Sequence, residues 1–185
     1  MKKLLTFVLT LFILQSASAQ NEKSGEREFK KFKVDISAGY AVPQGGGTKG
    51  GVLFVIEPKY AVMDQLSLGL RLEAAVTANV DLNGNTGSAK ANASYLLTGD
   101  YYFNNNKLRP FAGAGAGMFT TASVTDSTVI NSASDIPRTT KFGGMARAGI
   151  EYGHMRIGVE YNFVANKSGY LGIKFGFCIG GGRVK

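Results

Sequence analysis

Between Phe32 and Ile179 the chain changes environment every second residue, over and over, and few folds tolerate such a pattern. In Phe32–Val42, the residues Phe32, Val34, Ile36, Ala38, Tyr40 and Val42 share one face; Lys33, Asp35, Ser37, Gly39 and Ala41 share the other. Side chains of an extended strand alternate across its plane, so this period of two marks a strand whose faces meet different surroundings. The alternation returns in segments running from Val52 to Val62, Leu66 to Thr77, Ala89 to Phe103, Leu108 to Thr120, Phe142 to Tyr152, Met155 to Phe163 and Leu171 to Ile179. Together they predict eight strands, an even number.

The connections add independent information. Met63-Asp64-Gln65, Asn104 to Lys107 and Gly153-His154 are tight hairpin turns. The intervening connections are longer: Gln44 to Gly51, Asn79 to Ser88 and Thr121 to Thr140, with a shorter one around Asn166 to Gly169. Short turns at one end and longer loops at the other predict an up-and-down antiparallel barrel with both termini at the short-turn end.

The N-terminus indicates export. Met1-Lys2-Lys3 precedes an apolar run from Leu4 to Leu14 broken only by Thr6 and Thr10, and Ser16-Ala17-Ser18-Ala19 offers small residues for a cut after Ala19. That is the layout of a secretory signal peptide, and the run is too short for a transmembrane helix, which takes about 20 residues. The expected organisation is a signal peptide at 1–19, a flexible polar lead at 20–31, a β-barrel at 32–180 and a C-terminal tail at 181–185. A lone cysteine, Cys178, excludes an internal disulfide, so an exported chain must be held by other means, and a closed barrel supplies them. The net charge of +8 becomes +6 once Lys2 and Lys3 leave with the signal. The basic residues are spread along the strands rather than gathered in a patch, which argues against nucleic acid and leaves attraction to anionic lipid headgroups.

Alternation alone does not say which face meets lipid. A soluble barrel places its apolar face inside, whereas a transmembrane barrel places it outside. Three features favour lipid outside. The polar face is rich in glycine (Gly39, Gly69, Gly113, Gly115, Gly117, Gly149, Gly158, Gly172 and Gly176), as a narrow lumen shared by long side chains requires. It carries both signs in similar number: Lys33, Lys59, Arg71, Arg147, Arg156 and Lys174 against Asp35, Glu57, Glu73, Asp100, Glu151 and Glu160. Aromatic residues of the apolar face gather toward strand ends, with Tyr60, Tyr101, Phe103, Tyr152, Phe175 and Phe177 on the short-turn side and Tyr40, Phe54, Phe142, Tyr161 and Phe163 on the other. Two aromatic girdles mark the two membrane interfaces.

On these residues, and on the signal ending ASAQ with the stretches IEPKYAVMDQLSLGLRLE, LRPFAGAGAG and YLGIKFGFCIGGG, the chain resembles the small outer-membrane β-barrel proteins of the porin-like and OmpA-like transmembrane-domain superfamily. The resemblance covers essentially the whole chain after the signal and implies fold and location: an eight-stranded barrel in the outer membrane of a Gram-negative bacterium. Outer-membrane lipids and the barrel-assembly machinery are the partners it implies. Members often end on an aromatic residue, whereas here Gly180 to Lys185 follows the last strand, leaving Phe177 or Ile179 as the assembly signal.

The sequence offers no catalytic constellation. His154 is the only histidine, lies in a short turn and has no adjacent serine, and one histidine with one cysteine makes no metal cluster. Gly113 to Gly117 lies within a strand and opens no helix, so it is not a phosphate-binding loop. No enzyme activity, cofactor or metal is expected. The candidate site is a luminal ion-pair network of Asp35, Glu57, Lys59, Arg71, Glu73, Asp100, Arg147, Glu151, Arg156, Glu160 and Lys174, grouped along the strands as Glu57/Lys59, Arg71/Glu73, Arg147/Glu151 and Arg156/Glu160. The expected role is structural or surface interaction with a filled lumen; the alternative is a narrow or gated pore for ions and small solutes.

Overall fold

The structure, a computed structural model, describes residues 27–44, 50–79, 88–125, 138–164 and 169–184. The expected signal peptide and most of each long-side loop lie outside the described residues. Eight strands follow in chain order: β1 (Phe32–Pro43), β2 (Gly51–Ala61), β3 (Leu66–Asn79), β4 (Ser88–Tyr102), β5 (Leu108–Thr125), β6 (Arg138–Tyr152), β7 (Met155–Val164) and β8 (Tyr170–Gly180). Each pairs antiparallel with its neighbour in sequence, and β8 pairs with β1 to close the barrel. No strand edge is left open, which lets such a sheet cross a bilayer without stranding backbone N–H and C=O groups in hydrocarbon.

Each pair keeps one register along its length, and the register spirals. From Lys33 it passes through Lys59, Gly69, Thr98, Gly115, Met145, Asn162 and Tyr170, and returns to β1 at Pro43. That stagger, from position 33 to 43, inclines the strands about 40° to the barrel axis. Directly opposed residues share a face, so this chain of partners is one continuous inner row.

The two faces are inverted relative to a soluble protein. The outside is apolar: Phe54, Ile56, Leu70, Ile157 and Phe175 are exposed, and Leu97 and Phe142 reach 72% and 70%. Buried on the inside are Lys59, Glu57, Arg71, Asp100, Arg147 and Glu160, with Arg71 and Asp100 at 0%. Water cannot favour this arrangement on either face; a lipid surround with an enclosed polar lumen favours it on both. Phe175, expected in the girdle on the short-turn side, instead occupies the middle of β8, as Tyr95 does in β4.

Several boundaries differ from the sequence expectation. β5 continues to Thr125 and β6 starts at Arg138, so part of the expected Thr121–Thr140 loop is paired strand. Thr120 pairs with Thr140 through hydroxyls 2.9 Å apart, and Thr121 with Thr139; β-branched pairs of this kind extend the ladder past the expected strand ends. The described part of the flexible lead, residues 27–31, is docked. Phe29 forms an antiparallel bridge with Arg183 of the tail, Lys30 N–H donates to Gly182 O (2.9 Å) and Val184 N–H to Glu28 O (2.8 Å). Asp64 in the first short turn accepts the Glu28 and Phe29 amides (3.1 and 3.3 Å), and Arg27 donates to Ala61 O and Val62 O. Phe29 is thereby buried at the short-turn mouth under the Arg109 guanidinium, 4.0 Å from its ring. Local composition pointed to flexibility; the partners that hold residues 27–31 are far away in sequence. The backbone turns out of β8 at Gly180 and Gly181, whose φ values of 83° and 65° favour glycine and bring the tail across the mouth.

Candidate functional site in the barrel lumen

The strands deliver every second side chain to the lumen, where the charges assemble in tiers. Nearest the short turns, Lys33 Nζ lies 2.6 Å from Glu151 and donates to Tyr102 Oη at 2.7 Å, while Tyr102 donates to Glu151 at 2.9 Å. Arg156 Nη1 donates to the same phenol oxygen (2.8 Å), and its guanidinium lies 3.6 Å from the Phe111 ring centre. Arg109 stacks on Tyr102 at 4.1 Å and approaches Glu151 at 3.7 Å.

The middle tier centres on Asp100. It accepts from Lys59 (2.7 Å), Arg147 Nε (2.7 Å) and Arg156 Nη2 (2.6 Å). Arg147 also grips Glu57 with both terminal nitrogens, at 2.7 and 2.6 Å, the bidentate geometry that a planar guanidinium favours. Thr98 Oγ1 donates to Glu57 at 2.5 Å. Asp35 lies 2.5 Å from Lys59 Nζ and 3.3 Å from Arg156, held by charge rather than by a well-directed hydrogen bond.

Toward the long-loop end, Arg71 Nη2 joins Glu73 to Glu160, Lys174 lies 2.5 Å from Glu160, and the Tyr170 hydroxyl donates to Glu73. Above this tier the lumen turns apolar: Ala41, Leu53, Val55, Ala75, Leu96, Phe119 and Tyr170 form one buried cluster, with Val164 packed against it.

All eleven expected residues project into the lumen, but two expected groupings are not the pairs that form. Arg147 and Glu151 belong to one strand, as do Arg156 and Glu160, and residues four apart in a strand are about 13 Å apart. Arg147 instead reaches Glu57 and Asp100, and Arg156 reaches Asp100, Asp35 and Glu151. Glu151 and Arg156 stand opposite each other in the β6–β7 register, a cross-strand relation that spacing along one strand hides. Glu57/Lys59, at 3.7 Å, and Arg71/Glu73 do contact, because residues two apart share a face at short range.

Sequence reasoning passed over Arg109, Phe111 and Phe119. Continuing the odd-numbered inner row of β5 outward from Gly113 and Gly117 reaches all three, so the period of two held the signal. It also passed over Tyr102 and Tyr170, aromatic residues on the inner face whose hydroxyls enter the network. His154, in the turn after Gly153, bonds through Nδ1 to Cys178 O (2.8 Å) and stacks on Phe177. Among the described residues no group of His, Cys, Asp and Glu side chains is arranged to hold a metal.

An apolar outer wall around a charged, closed lumen of eight antiparallel strands defines an integral β-barrel of the outer membrane. The chain belongs to the outer membrane protein beta-barrel domain family, whose model matches residues 6–181. It is similar in structure to Neisserial surface protein A (TM-score 0.60, 17% identity, covering 82% of this chain and 98% of that one). It is also similar to Ail, the attachment invasion locus protein of Yersinia pestis, solved with the heparin analogue sucrose octasulfate (TM-score 0.51, 15% identity, covering 84% and 100%). At these identities the likeness is one of fold. No curated protein matches the chain at a significant level.

Proposed function

We propose that this protein is a non-conducting, non-catalytic scaffold whose barrel anchors surface loops in the outer membrane, the luminal ion pairs serving as its polar core. The observation that carries this reading is the filled lumen. Going from the short turns to the long loops, a solute would meet the Phe29–Arg109 stack, the tier around Asp100, the Arg71–Glu160–Lys174 tier and the apolar cluster of Leu53, Leu96 and Phe119. Opening a path would break several buried ion pairs at once, and removing one partner of such a pair costs about 3–5 kcal/mol. The space beside Asp35, Ser37, Arg147 and Lys174, about 20 Å³, holds no more than a water molecule. Short turns face the periplasm in barrels of this kind, which assigns the long loops to the cell surface and both termini to the periplasm. Loop display suits contact with external molecules; Ail, similar in fold, was solved in complex with a heparin analogue.

Conductance of the refolded barrel in planar bilayers tests the reading. A flat baseline is expected for the native protein and for Arg71→Ala alike. Discrete openings in the native protein, altered in size or ion preference by Arg71→Ala, would establish the pore instead.

A further inference from the structure

We infer that the short-turn mouth carries a binding site for the phosphate of an anionic glycerophospholipid, taken from the leaflet that surrounds that end. A cavity of about 490 Å³ opens there between the second and third short turns and the C-terminal tail. Its walls include Lys107, Arg109, His154 and Arg183, with Phe29 and Glu151 beside them. Lys107, Arg109 and Arg183 stand against two acids: Glu151 in the lining, already met by Lys33 at 2.6 Å and Arg156 at 3.3 Å, and Glu28 outside it, 3.9 Å from Arg183; the cavity keeps a surplus of positive charge.

Two wall residues also tie the cavity to the lipid face. Lys107 Nζ sits 5.0 Å above the ring of Tyr152, and the His154 ring stacks on Phe177 at 5.5 Å; Tyr152 and Phe177 are both outward-facing girdle residues. The pocket therefore borders the level where headgroups lie against the aromatic belt. Glycines form much of the remaining rim: at Gly153 and Gly182 no heavy atom lies within 4 Å of where a Cβ would be, which leaves room for a headgroup. Arg183 is held in place by donating to Asn105 O at 2.7 Å, so it is pre-positioned rather than recruited by the ligand. Basic pockets at a membrane interface bind anionic headgroups through such an arrangement, each basic residue contributing about 1 kcal/mol. This site rests on the transmembrane reading of the barrel and not on which end faces the periplasm.

Native mass spectrometry of the refolded, detergent-purified barrel titrated with phosphatidylglycerol or phosphatidylcholine tests the site. One phosphatidylglycerol should bind more tightly than phosphatidylcholine. Lys107→Gln with Arg183→Gln should weaken phosphatidylglycerol about 30-fold, the loss of two such basic contributions, and leave phosphatidylcholine unchanged. Lys30→Gln with Lys31→Gln removes equal charge from the same end outside the cavity and should leave both affinities alone. Equal affinity for the two lipids, or an equal loss in the Lys30/Lys31 control, would overturn the proposal. So would inorganic phosphate binding as tightly as phosphatidylglycerol, which would make the ligand a free anion. Heat-modifiable migration checks that each variant is folded, so a collapsed barrel is not mistaken for a failed site; should the double variant not fold, Lys107→Gln, an exposed turn substitution, carries the test alone.

Discussion

Asp100 holds three cations from three other strands, and few single residues here are so exposed to the consequences of substitution. Asp100→Asn keeps the shape and removes the charge, leaving Lys59, Arg147 and Arg156 short of an acid in a closed lumen. Urea titration in lipid vesicles should show a loss of about 3–5 kcal/mol; a loss under about 1 kcal/mol would mean the network is solvated rather than structural. The glycines give a second residue-scale test, because the two faces treat an added methyl group differently. A Cβ at Gly113 would run into Asp100 Oδ1 and Gly99 O, whereas at Gly99, on the outer face, the nearest atom is Leu68 Cδ2 at 3.6 Å. Gly113→Ala should cost about 1–3 kcal/mol through overpacking. Gly99→Ala should be neutral or stabilising by up to about 1 kcal/mol, since alanine loses less backbone freedom than glycine. Equal effects would mean that the two faces are not as different as the structure has them.

At the scale of elements, the pairing of the lead with the tail is the feature that strand periodicity does not announce. Residues 28–30 and 182–184 exchange backbone hydrogen bonds across the mouth, and Asp64 fixes them to the first short turn. Asp64→Ala removes two acceptors from that junction and should cost about 1 kcal/mol locally. Hydrogen exchange at residues 28–31 should then quicken while the amides of β3 to β6 keep their protection. Quickening throughout the barrel would instead make this clasp part of the global fold. The strands themselves were legible because each alternates over many residues. Their ends at β5 and β6 were not, since Thr121 and Thr139 resemble loop residues until each has the other as a partner.

For the molecule as a whole, the outer face is the decisive property. Leu70 points outward from β3 and is exposed in the isolated chain. Leu70→Arg should impair folding into vesicles by about 2–4 kcal/mol if that position lies near the bilayer midplane. Orientation has its own measurement. On intact cells a membrane-impermeant maleimide should label Ser127→Cys, which follows β5 and precedes β6 in sequence, and spare Asn106→Cys in the second short turn. Labelling of Asn106→Cys would invert the assignment of the two ends.

Periodicity, turn lengths and face chemistry by themselves determined the strand count, the antiparallel closure, the lipid-facing side and the identity of most luminal charges. These are local properties: a strand of period two sends a residue inward or outward whatever its neighbours are. What only the tertiary structure decided is who meets whom. Arg147 finds Glu57 across the lumen, Arg156 finds Asp100, Phe29 finds Arg109, and the apolar cluster of Leu53, Leu96 and Phe119 closes above them. Those meetings depend on the stagger that returns the register from Lys33 to Pro43, a quantity of the closed barrel. No single strand contains it, because it exists only once the eighth strand has paired with the first.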